Sequence, residues 1–160
     1  MKESIKLFCI IIISHLTASN SFSTPLNGTY TIGSGGNYST INSAFTDASL
    51  QGIDGAVIFD IITGIYNEQV DIGLISGSSS VNTVTLKSQS GNTADVIING
   101  VSNVFSIFSS FLIIKEITIG SSLYTSVVIH GTSITFTGNN LNNGSIAIPV
   151  NNVSFYIYIT

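Results

Sequence analysis

Few side chains in this sequence are equipped for chemistry, and the best-furnished stretch is Gly64-Ile65-Tyr66-Asn67-Glu68-Gln69-Val70-Asp71-Ile72. It brings a phenol and two carboxylates close together, which makes Tyr66, Glu68 and Asp71 the candidate binding residues. The stretch also has a reading that needs no ligand. Gly64 permits the turn between strands, Tyr66 packs its ring at a rim, and Glu68 accepts hydrogen bonds from turn amides, as acidic residues near turns do. Asp60 and Asp71 are placed to face one side, but two acids on neighbouring strands fall short of the oxygen ligands calcium takes. His130 has no Cys, base or metal partner at a usable spacing. Gly33-Ser34-Gly35-Gly36 lacks the Lys and the helix register of a phosphate loop and reads as a flexible loop. No catalytic residue, metal or cofactor is expected.

The composition bounds the class of protein. Of 160 residues only 8% are charged, Arg and Trp are absent, and the formal net charge is −4. Ile numbers 27, while Ser, Thr and Asn number 25, 16 and 15, so the chain is rich in β-branched residues and in uncharged polar ones. A nucleic-acid binder needs a Lys/Arg footprint that this chain lacks. An apolar share of 44% excludes a charge-rich disordered chain, and the scarcity of strong helix formers disfavours a helical bundle.

Residues 1–23 read as an export signal, with Lys2 and Lys6, the apolar run 7–13 and the small residues Ala18, Ser19, Ser21 and Ser23. The run is too short for a membrane span, so none is expected after cleavage. Removing it takes Cys9 and His15 with it, and leaves Lys87 and Lys115 against seven acids, a charge of −5. A chain without thiols that is exported suggests a bacterial route, so the Asn-x-Ser/Thr sites at Asn27, Asn37, Asn143 and Asn152 predict no glycan.

Residues 24–55 predict a strand, a loop and one helix. Ser39 is the expected N-cap, Ile41, Ala44, Phe45 and Ala48 form one apolar face, and Gly52 is the expected stop. From residue 56 the apolar period becomes two, in short strands around 57–62, 70–72, 84–86, 96–98, 117–119, 134–136 and 146–148. Turn clusters separate them at 76–80, 90–92, 120–122, 138–140 and 142–144. Leu86, Ile113, Thr135 and Phe155 mark one series of equivalent points, and Asp71, Ile97 and Thr118 a second. Two series advancing by 20 to 27 residues predict an all-β, right-handed parallel β-helix (a solenoid) over 56–160. Asn is expected at left-handed corners and in amide ladders, and the helix at 39–51 is expected to cap the first coil. An immunoglobulin-like sandwich is the alternative, without the hairpin, Cys and Trp signals it requires.

Gly28-Thr29-Tyr30-Thr31-Ile32-Gly33, then Tyr38-Ser39-Thr40-Ile41, then residues 64–72 resemble the opening of pectin-lyase-like β-helix proteins. The order is similar to that of pectin methylesterases, and more so to the large secreted β-helix proteins of Bacteroidetes, over residues 27–120. The resemblance implies a β-helix and a link to carbohydrate. It does not imply catalysis here, because the family's paired Asp and Arg have no counterpart in a chain without Arg.

The sequence ends within the apolar stretch 153–160, which predicts either the N-terminal part of a longer β-helix or self-association through the C-terminal edge. The expected function is that of a non-catalytic, secreted or cell-surface module contacting polysaccharide through polar faces and the tyrosines Tyr66, Tyr124, Tyr156 and Tyr158. The alternatives are a fragment of a carbohydrate-active esterase or lyase, and an adhesin or surface-structural protein whose outward Thr85, Thr118, Thr135 and Thr137 could form a Thr face.

Overall fold

The computed structural model describes residues 24–101, 103–121, 126–142 and 145–148. The expected signal segment, Tyr124, Tyr156, Tyr158 and the 153–160 stretch with Phe155 lie outside them.

Strand β1 (Leu26–Ile32) leads through a loop to helix α1 (Ile41–Gln51) and then to β2 (Ile53–Ile61). The chain next runs through β3 (Gly64–Asn67), β4 (Val70–Ile72), β5 (Val84–Ser88), β6 (Val96–Gly100) and β7 (Phe105–Ile107). It continues with β8 (Leu112–Lys115), β9 (Thr118–Ser121), β10 (Val127–Ile129), β11 (Ile134–Thr137), β12 (Asn140–Asn142) and β13 (Ile146–Ala147). These strands form three sheets, ordered β1-β2-β5-β8-β11, β3-β6-β9-β12 and β4-β7-β10-β13. Every pairing is parallel. The chain therefore visits the three sheets in turn, four times over. The result is an all-β, parallel, solenoid-like fold. Among the described residues no helix is long and apolar enough to cross a membrane.

Registration converts the period-two pattern into columns. In the first sheet Phe59, Leu86, Ile114 and Phe136 stack in register and all are buried. Val70, Phe105 and Val127 do the same in the third sheet, and Ile98 lies beside Ile119 in the second. The alternate residues face out. Burial of each such side chain contributes about 1.5–3 kcal/mol, and among the described residues none of the buried ones is charged.

The structure corrects several expectations. There are three series of equivalent points, not two: Ile97 and Thr118 belong to the second sheet, whereas Asp71 pairs with Ser106 in the third. Leu86 aligns with Ile114, and Ile113 with Thr85. A slip of one residue exchanges inner and outer faces, so the distinction decides what is core. Strands β7, β10 and β12 replace irregular segments, and Asn140 pairs with Thr118 instead of turning. Thr118 is buried, its hydroxyl donating to the Thr93 carbonyl at 2.9 Å, so it does not extend a Thr face. On the outer side of the first sheet Thr85, Thr135 and Thr137 share the surface with Asp60, Lys87 and Lys115. Among the described residues the left-handed non-glycine positions are Phe111, Glu116 and Ser133, with φ of 58°, 57° and 55°, and none is Asn. Asn instead ties corners together through its side chain: Asn139 donates to the Ile114 carbonyl at 2.7 Å and accepts from the Ile117 amide at 3.2 Å.

Helix α1 lies against β1 and β4. Its Ile41, Ala44, Phe45 and Ala48 are fully buried, and the Phe45 ring meets Phe59 edge-on at 5.3 Å. The N-cap is Thr40, not Ser39, because Thr40 accepts from the Ser43 amide while Ser43 accepts from that of Thr40, a reciprocal capping box. Gly52 ends the helix at φ 72°, donating to the Ala48 carbonyl. The loop after β1 folds back so that the Tyr38 amide donates to Thr31 and the Thr31 amide to the Asn37 side chain, which covers part of the strand's outer edge.

The columns generate a direct test. Leu86→Ala and Ile114→Ala should each cost about 2–5 kcal/mol in denaturant unfolding, and Thr85→Ala less than about 1 kcal/mol. Equal losses at Thr85 and Leu86 would overturn the register.

Candidate functional site

The corner between β3 and β4 is held by α1. The first four amides of any helix lack intrahelical partners, and here Glu68 accepts from two of them. Its Oε1 accepts from the Ile41 amide at 3.0 Å and its Oε2 from the Asn42 amide at 3.0 Å. The Asn42 side chain donates to Glu68 Oε2 at 3.2 Å and to the Gln69 carbonyl at 2.6 Å, and accepts from the Asp71 amide at 3.1 Å. A carboxylate at a helix N-terminus also complements the helix dipole. With Thr40 holding Ser43, the amides of the first turn are all engaged. The adjoining loop 33–36 therefore has no free helix amides to offer a phosphate.

Tyr66 lines the surface between the 33–40 loop and β3. It points inward, half-buried against the core, and donates to the Ile62 carbonyl at 2.7 Å and the Ile32 carbonyl at 3.2 Å. A Cβ on Gly33, at φ 126°, would stand 2.5 Å from that hydroxyl, which is why glycine occupies the position. Burial, with the Glu68 charge nearby, raises the Tyr66 phenol above its ordinary value. Tyr38 is raised further, by burial first and then by its 2.6 Å hydrogen bond to Asp47. Neither phenol is poised to give up a proton near neutral pH.

The other candidates scatter. Asp71 is exposed on the third sheet. Asp60 lies on the first, in an ion pair with Lys87 at 2.8 Å, so the two acids do not share a side. His130 stacks flat on Phe108 with ring centres 4.4 Å apart. Among the described residues no three His, Cys, Asp or Glu side chains gather as a metal ion would require.

Two surface clefts meet at Asn67 and Glu68. One, about 340 Å³, runs between Asn67, Gln69, Asn99 and Val101. The other, about 410 Å³, lies between the 33–40 loop and β3, and includes Ser39, Thr63 and Ile65. Asn67 and Asn99 are register partners on the outer face, and the Asn99 amide donates to the Asn67 side-chain oxygen at 3.2 Å. This is one side-chain amide pair between successive strands of the second sheet, and it does not extend into a ladder, because the next residue in the column is Gly120. Asn67, Gln69, Asn99 and Val101 were not among the sequence candidates. Their signal was faint, because Asn67 and Asn99 are 32 residues apart, outside the shorter repeat read from the strands.

No family model matches the chain, and neither curated proteins nor solved structures contain a match.

Two outcomes check the corner. Glu68→Ala should destabilise the protein by about 2 kcal/mol and speed hydrogen exchange at the Ile41 and Asn42 amides, with Ser43 less affected; unchanged exchange at both would show that Glu68 does not hold the helix. The raised Tyr38 phenol means its contribution to stability is full below the unfolded tyrosine value of about 10 and is lost as pH rises from there toward the folded value. Tyr38→Phe should therefore flatten the alkaline limb of a stability–pH profile, and an unaltered limb would count against the assignment.

Proposed function

We propose that this chain is a right-handed parallel β-helix of the pectin-lyase-like kind, capped by α1, that acts outside the cell as a non-catalytic module contacting polysaccharide. The observation that carries the reading is the pair of clefts joined at Asn67 and Glu68. Their side-chain amides and hydroxyls both donate and accept, as sugar hydroxyls do. Exposed Ile65 and Val101 add the apolar surface on which a pyranose face rests. A non-catalytic role is supported by Glu68, the carboxylate common to both clefts, whose two oxygens are occupied by the amides of α1. The role of α1 as a cap is supported by its four buried residues beside β1 and β4. Export is supported by the composition of residues 1–23.

Native electrophoresis through gels containing mixed-linkage β-glucan tests the reading. The protein should be retarded, and Asn67→Ala combined with Asn99→Ala should weaken retention by roughly thirtyfold, the loss of two hydrogen bonds worth about 1 kcal/mol each. Migration of the unmodified protein that does not respond to the polysaccharide would reject the reading.

A further inference from the structure

We infer that the cleft selects neutral polysaccharide over polyuronate, an inference that rests on the reading above that the cleft takes polysaccharide at all. The distribution of charge carries it. Both clefts are lined by Glu68, and their other polar side chains, such as Gln69 and Asn99 in one and Ser39, Thr63 and Tyr66 in the other, are uncharged. No described lining residue is cationic. Both oxygens of Glu68 act as acceptors toward α1, the role of a carboxylate, so this negative group is built into the fold at the point where the clefts meet.

The lysines among the described residues lie elsewhere and are engaged. Lys87 and Lys115 are adjacent on the outer face of the first sheet, Lys87 paired with Asp60 at 2.8 Å and Lys115 with Glu116 at 3.4 Å. Neither offers a counter-charge to an acidic sugar lying across the second sheet. A polyuronate carries a carboxylate on every residue, so its passage over Asn67 would set like charges close together, with the net charge of −5 that remains after removal of residues 1–23 adding to the repulsion. A neutral glycan meets only groups that hydrogen-bond to hydroxyls, and the flanking apolar side chains Ile65 and Val101, 65% and 76% exposed, suit its CH faces.

The test compares binding of the intact protein to mixed-linkage β-glucan and to polygalacturonate at low salt. The dissociation constant for polygalacturonate should be weaker by at least about tenfold, the size of one like-charge encounter near a protein surface. Val101→Lys, which puts a cation at an exposed cleft position, should narrow that ratio, and Gln69→Lys repeats the test should the first variant fold poorly. Polygalacturonate binding as tight as β-glucan would overturn the selectivity while leaving the polysaccharide reading in place. An unchanged ratio in both lysine variants would overturn its electrostatic cause. Binding to neither polymer would overturn the polysaccharide reading, and this inference with it.

Discussion

The parallel register is the constraint on which the molecule depends. Most strands are short, in several cases three residues, and a lone strand of that length buries too little to persist. What sustains it is that the strands before and after in its sheet place like with like. Phe59, Leu86, Ile114 and Phe136 superpose in one column, and the outward residues superpose in others. Because side chains alternate with period two, a one-residue slip of β5 would bring Thr85 or Lys87 into the core and put Leu86 outside. The unequal spacings between successive strands are tolerated because the extra residues loop out between sheets, as at 73–83, and leave the registered positions unchanged.

The same constraint explains how a helix joins an otherwise β structure. Helix α1 buries Ile41, Ala44, Phe45 and Ala48 against the first strands, but a buried helix end carries amides that require acceptors. Glu68 reaches across from the β3–β4 corner to meet two of them, and Asn42 returns contacts to Gln69 and Asp71. Helix and corner are thus fixed by one shared group. The stretch that carries the candidate binding residues thus also takes part in assembling the fold.

Scarcity of charge then shapes the surface. The paired ions of the first sheet are spent on each other, while the second sheet presents the Asn67–Asn99 amide pair beside a structural carboxylate. The proposed contact with neutral sugars follows from that division. Surface ion pairs of this kind contribute little stability, so their larger effect is on where the molecule is attractive to an anion and where it is not.

The sequence by itself determined the all-β class, the helix with its buried face and glycine stop, and the inward or outward sense of most strands. These follow from local periodicity and from single residues such as Gly52, and need no knowledge of distant neighbours. It also suggested that Glu68 would serve backbone amides. Tertiary structure alone decided that those amides belong to α1, 26 and 27 residues away, that Asp71 and Asp60 sit on different sheets, and that Asn67 meets Asn99. The physical reason is that loop lengths between strands vary without changing the period-two pattern. The chain's alternation fixes which way a side chain points, and only the stacking of one circuit on the next fixes what it meets.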